Sequence, residues 1–70
     1  MKENSFGRIL KELRESKGLS QRKLGDDLGV SNQTVSFWET SQRECDFDTL
    51  IAIADYFSVS VDYLLGRTDY

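Results

Sequence analysis

Residues 21–40 of this 70-residue chain, QRKLGDDLGVSNQTVSFWET, decide its fold. Ser20, just before the stretch, is a residue type whose hydroxyl can cap a helix. Leu24 and Leu28 lie four apart, on one face of that helix. Gly29 stops the helix after about two turns and tolerates the positive φ of a tight turn. Ser31 can cap a second short helix carrying Thr34, Val35 and Trp38 on one side. Gly25 is small enough for the two helices to cross closely, and Leu24, Leu28, Val30, Val35 and Trp38 can lock them together. These constraints, met together within twenty residues, are specific. Any one of them alone would be weak.

The flanks extend the pattern. Phe6, Ile9, Leu10 and Leu13 form one stripe of a helix over about residues 5–17, with Ser5 as its expected cap and Gly18 as its stop. Residues 40–44 read as a polar loop. Asp46 or Asp48 can open a fourth helix with the apolar set Phe47, Leu50, Ile51, Ile53, Ala54 and Phe57. Ser60 can cap a short fifth helix, Val61 to Leu65, closed by Gly66. Residues 1–4 read as a polar start and Arg67 to Tyr70 as a loose tail. The expectation is one all-α domain over residues 1–70, core about 6–66, with five helices and a helix-turn-helix at helices 2 and 3. A chain this small buries a modest core, so its stability is marginal or shared with a second copy.

Composition narrows the chemistry. The chain has no histidine and one cysteine, Cys45, so neither a zinc site nor a Ser-His-Asp set can be assembled from it. No metal, cofactor or enzymatic activity is expected. The lone cysteine suits a reducing compartment, read here as the cytoplasm, and no apolar run is long enough to span a membrane. Net charge is −3, unusual for a nucleic-acid binder, but it is unevenly spread. Residues 1–43 carry a balance of +2 and residues 44–70 a balance of −5. A surface meeting phosphate is therefore built from the first half.

The third helix has two unlike sides. At about 100° per residue, Asn32, Ser36, Thr40, Gln33 and Phe37 fall within an arc of about 140°, opposite Val35 and Trp38. The exposed arc offers two amides, hydroxyls and an aromatic, and no charge. A solvated helix face usually carries Lys and Glu there. Amides pair bidentately with adenine in the major groove, and apolar groups meet the thymine methyl. The bland alternative is a polar solvent face, with Phe37 packed on a neighbouring loop.

The motif residues Leu19-Ser20-Gln21, Leu24, Leu28-Gly29-Val30-Ser31, Thr34-Val35-Ser36 and Trp38-Glu39 resemble the Cro/C1-type (XRE) family of phage repressors and bacterial regulators. The likeness continues through Leu50, Ile53-Ala54 and Val59 to Gly66. It implies a lambda-repressor-like fold whose third helix enters the major groove of double-stranded DNA. It further implies base reading by Asn32, Gln33, Ser36 and Phe37, and phosphate contacts from Gln21, Arg22, Ser31, Thr40, Ser41, Gln42 and Arg43. Arg14 and Glu39 resemble the family's internal salt bridge. The chain departs from the family at Thr40-Ser41, where Asn-Gly is frequent, at Cys45, where proline is, and at Gly25, where alanine is usual.

The implied function is a sequence-specific transcriptional regulator, a repressor in phage or mobile-element style, working as a homodimer on a two-fold operator. Tyr56, Val59, Val61 and Tyr63 are the expected dimer surface, Val61 and Leu64 also being core candidates. Two other readings stay open. One is an interaction module meeting a basic protein partner through the acidic residues 44–70. The other is that the chain is the DNA-binding portion of a longer repressor.

Overall fold

A computed structural model describes residues 5–67. The helices are α1 (Phe6–Ser16), α2 (Gln21–Leu28), α3 (Asn32–Glu39), α4 (Phe47–Phe57) and α5 (Val61–Leu64). The described residues contain no strand, and no helix among them is long and apolar enough to cross a membrane.

Four helices begin as expected. The side chains of Ser20, Ser31, Asp46 and Ser60 accept the backbone N–H groups of Lys23, Thr34, Thr49 and Tyr63. Asp46, not Asp48, therefore opens α4. Ser5 differs: it precedes α1, but its side chain makes no capping bond. Its φ of −97° and ψ of 14° are not the extended geometry that aims a cap hydroxyl at the first turn.

All five helices end alike. An amide reaches back five residues to a carbonyl: Leu19 to Arg14, Val30 to Gly25, Gln42 to Phe37, Val59 to Ala54 and Arg67 to Asp62. Each closure puts the preceding residue in the left-handed region. Gly18, Gly29 and Gly66 do this at three ends, but Ser41 (φ 62°) and Ser58 (φ 58°) do it at the other two. The sequence reading did not foresee either serine in this role. Ser41 adopts the left-handed conformation of a helix stop at the Thr40-Ser41 departure from the family pattern.

The core draws one fully buried side chain from every helix: Leu10, Leu24, Val35, Ile53 and Leu64. Phe6, Ile9, Trp38, Ala54 and Phe57 complete it, and Phe6 meets Trp38 edge to face with ring centroids 6.5 Å apart. Two residues expected on the apolar face of α4 lie outside it: Phe47 is 83% exposed and Ile51 52%. α4 is apolar around most of its circumference, so periodicity could not single out its inward arc. Packing selects Leu50, Ile53, Ala54 and Phe57, the i, i+3, i+4, i+7 set. Residues 1–4 and 68–70 lie outside the described residues. Arg67, expected in a loose tail, is instead held by the Asp62 carbonyl at 2.9 Å and an ion pair of 3.7 Å with the Asp62 carboxylate.

Gly7, which the pattern did not single out, sets how closely α1 approaches α3. A Cβ at this buried position would stand 2.5 Å from the Trp38 carbonyl oxygen and 2.9 Å from that of Glu39. Backbone, not a pliable side chain, occupies the space. Gly7→Ala should therefore destabilise the domain by about 1–3 kcal/mol in urea titrations, the usual range for overpacking. Ser58→Gly should do the reverse. It removes a left-handed strain of about 1–2 kcal/mol and gives back about 0.4–1 kcal/mol in unfolded-chain entropy. A net gain of about 0.5–1 kcal/mol should appear as a higher urea midpoint.

Candidate nucleic-acid interface

α2 and α3 meet at Gly25. A Cβ there would lie 2.7 Å from the Val30 carbonyl oxygen, so the turn backbone rests directly on the helix. This accounts for glycine where the resembling family usually has alanine. Gly29 (φ 79°) then reverses the chain, and Leu28 and Val30 pack half-buried against the core beside fully buried Leu24 and Val35.

Glu39, the last residue of α3, carries the central polar contact. Its side chain is 3% exposed. One oxygen accepts from Arg14 Nε at 2.7 Å, and the other accepts from Arg14 Nη2 at 3.1 Å and from Gln21 Nε2 at 3.0 Å. Arg14 Nη1 also donates to the Leu19 carbonyl at 2.7 Å. The Glu39 carboxylate thus joins α1, the start of α2 and the end of α3, and Arg14 adds the turn before α2. The hydrogen bond to Glu39 raises the Arg14 pKa further, against the opposing effect of burial. The expected Arg14–Glu39 bridge is present, and Gln21 braces it. A bidentate guanidinium–carboxylate pair with a third donor is the arrangement that compensates a buried charge.

With its far end held, α3 presents Asn32 and Gln33 exposed and Ser36 and Phe37 half-buried. The structure therefore brings the four expected base-reading residues onto one side of one helix. The expected phosphate contacts are more mixed. Arg22 is exposed beside the start of α2. The Ser31 hydroxyl accepts from the Thr34 amide and pairs with the Thr34 hydroxyl at 2.9 Å. The Thr40 hydroxyl donates to the Ser36 carbonyl at 3.0 Å and accepts from Gln42 Nε2 at 3.0 Å. Ser41 is the left-handed residue of the loop. The Arg43 guanidinium lies 5.1 Å over the Phe37 ring centroid, so Phe37 does meet the neighbouring loop.

The residues expected at a dimer surface, Tyr56, Val59, Val61 and Tyr63, are half-buried against the domain's own core. The Tyr56 hydroxyl donates to the Asp27 carboxylate at 2.6 Å, tying α4 to α2. That bond, followed by Lys23, lowers the Asp27 pKa. Cys45 is half-buried, and burial pushes its thiol pKa up, away from the reactive thiolate. The described residues contain no cluster of ligands suited to a metal.

Sequence reasoning missed the Gln21 amide on Glu39 Oε1, the Tyr56–Asp27 bond and the Phe37–Arg43 stack. The third had a hint, because a neighbouring loop was the alternative place for Phe37, although no residue marked Arg43 as its partner. The other two join residues whose facing depends on how the helices pack, and no spacing marks them.

This geometry is that of a helix-turn-helix domain, and a model of the helix-turn-helix family matches residues 10–64. The chain belongs to that family, in its Cro/C1 (XRE) branch. Over 65 residues it is 37% identical to the HTH-type transcriptional regulator ImmR of Bacillus subtilis, a match covering 93% of this chain and 51% of ImmR. The fold superposes on a crystal structure of the P22 c2 repressor in complex with a synthetic operator (TM-score 0.83, 33% identity), covering 90% of this chain and 96% of that one. It also matches a transcriptional regulator from Listeria innocua (TM-score 0.88, 28% identity), covering 96% of this chain and 63% of that one. The chain spans about half the length of the curated relatives it matches.

Glu39→Ala should unfold much of the population. Removing one partner of a buried ion pair costs about 3–5 kcal/mol, whereas a 70-residue domain has only about 4–10 kcal/mol in total. The loss of helical circular dichroism on warming checks this, with the exposed Glu12→Ala as control.

Proposed function

We propose that this chain is the DNA-reading domain of a sequence-specific transcriptional regulator, a repressor, that inserts α3 into the major groove of double-stranded DNA. The observation that carries the reading is an uncharged, amide-bearing face on a helix whose other end is anchored by a buried carboxylate. Asn32, Gln33, Ser36 and Phe37 meet base edges. Arg22, Gln21, Ser31, Thr40, Ser41 and Gln42 line the phosphate backbone, whereas Arg43, expected there too, is turned onto Phe37. The exposed side-chain amides of Asn32 and Gln33 make no hydrogen bond among the described residues, which supports their bidentate pairing with adenine. The likeness to an operator-bound phage repressor supports the same docking. A cytoplasmic location in a bacterial cell accompanies this reading.

The regulator works as a homodimer on a two-fold operator. Cations are few: Arg8, Arg14, Lys23 and Arg67 are already in ion pairs within the domain. One copy therefore gains little from phosphate, and two copies reading two half-sites compensate. Half-sites lie about 34 Å apart, a little more than the domain's longest dimension of 29 Å, so two copies on adjacent half-sites are near neighbours. Tyr56, Val59, Val61 and Tyr63 are the proposed contact, through the faces their own core leaves open.

A second reading rests on Phe47 and Ile51, exposed on α4 among Glu44, Asp46, Asp48 and Asp55. There the acidic residues 44–70 meet a basic protein partner, alongside or instead of DNA.

Selection of bound fragments from a random double-stranded pool tests the main reading. It should return a two-fold consensus with adenine-rich half-sites about one helical turn apart, and binding should fall only shallowly with salt. No enrichment at low salt would overturn it. Tyr63→Asp should weaken self-association by about tenfold or more in sedimentation experiments and flatten the two-fold preference. An unchanged association constant would remove Tyr63 from the interface.

A further inference from the structure

The family resemblance implies that the loop after α3 follows the DNA backbone, and Arg43 is its one cation. The structure turns that cation elsewhere. Ser41 takes the left-handed conformation, and the Gln42 amide returns to the Phe37 carbonyl at 2.9 Å. The chain is thereby folded back beside α3. Gln42 then donates to the Thr40 hydroxyl, which donates to the Ser36 carbonyl, so the fold-back is fastened on both its backbone and its side chains. Arg43 emerges next to Phe37, and its guanidinium carbon sits 5.1 Å over the ring centroid. It makes no ion pair within 4 Å among the described residues, although Glu44 adjoins it.

We propose that Arg43 is a base-reading residue that recognises guanine in the major groove, with Phe37 as its platform. This rests on the DNA-reading function proposed above and assigns one further specificity to the same face. Stacking engages the guanidinium by its flat side and leaves the in-plane N–H groups pointing outward. Those groups match guanine O6 and N7, a pairing common in specific complexes. Every other residue on the face is neutral. Asn32 and Gln33 suit adenine, and Ser36 is a short hydroxyl. Arg43 is therefore the group on this surface suited to a bidentate contact with guanine. The platform also restricts a side chain that would otherwise lose much rotamer freedom on binding. Lysine would keep the charge but would lose both the flat stacking surface and the two-pronged donor set.

The test compares DNA selected from one random pool by the unaltered chain, Arg43→Lys, Arg43→Ala and Phe37→Leu. Each protein is first checked for native circular dichroism. Anisotropy titrations then follow on the selected site and on its single-base variants. The unaltered chain should enrich a G·C pair at one position of each half-site and discriminate against other bases there by roughly 10- to 100-fold. Arg43→Lys should lose that preference while keeping the remaining consensus and the salt dependence. Phe37→Leu should weaken the same preference in part. If Arg43→Lys selects the unaltered consensus, the inference is wrong. It is equally wrong if Arg43→Ala weakens all sites uniformly and reduces the salt slope by about one per copy, the behaviour of a phosphate contact. A pool from which the unaltered chain recovers no consensus overturns the DNA-reading proposal itself, and this one with it.

Discussion

The buried carboxylate of Glu39 is the contact on which the arrangement of the first three helices depends. Helices as short as α2 and α3, eight residues each, are not stable alone. They persist because hydrophobic contacts clamp them and because their relative placement is specified. Apolar packing through Leu24, Val35 and Trp38 supplies the clamp, but it is non-directional and would tolerate small rotations. The Arg14–Glu39–Gln21 set does not. Each donor has one direction, and misaligning any of them leaves a charge buried without its partner. The polar contact therefore fixes the angle at which α3 leaves the core.

Close backbone approach works with that contact. At Gly7 the amino end of α1 presses on the last carbonyls of α3, and at Gly25 the turn presses on α2. Both lie near the ends of the Glu39 network. The helices come near enough for short hydrogen bonds because two positions carry no side chain. Stability and placement are thus supplied by different residues. Leucines and aromatics make the domain fold, while two glycines and one ion pair set where the exposed face of α3 points.

The face is built differently from the core. Asn32 and Gln33 project freely, whereas Phe37 and the loop through Arg43 form a packed corner closed by a strained serine. On the proposed docking, the amides adapt to small changes in DNA geometry, and the corner has far less freedom to do so. The acidic second half of the chain, with Phe47 and Ile51 exposed on α4, leaves a separate surface on the same small domain.

Much of this was legible in the residues themselves. Caps at Ser20, Ser31, Asp46 and Ser60 are local, because a hydroxyl or carboxylate bonds an amide three residues on, and local chemistry is written in local sequence. The glycine turn, the five helices and the neutral face of α3 follow from periodicity in the same way. The Arg14–Glu39 pair came only through likeness to a family, since no pattern within one chain joins residues 25 apart. Tertiary structure alone decided which arc of the nearly all-apolar α4 turns inward, leaving Phe47 exposed. It also decided that Ser41 and Ser58 accept left-handed strain, that Gly7 is a contact point, and that Arg43 lies on Phe37. The physical reason is shared. Each of these depends on the distance and angle between elements, and those are set by the balance of all contacts at once rather than by any residue's own preference.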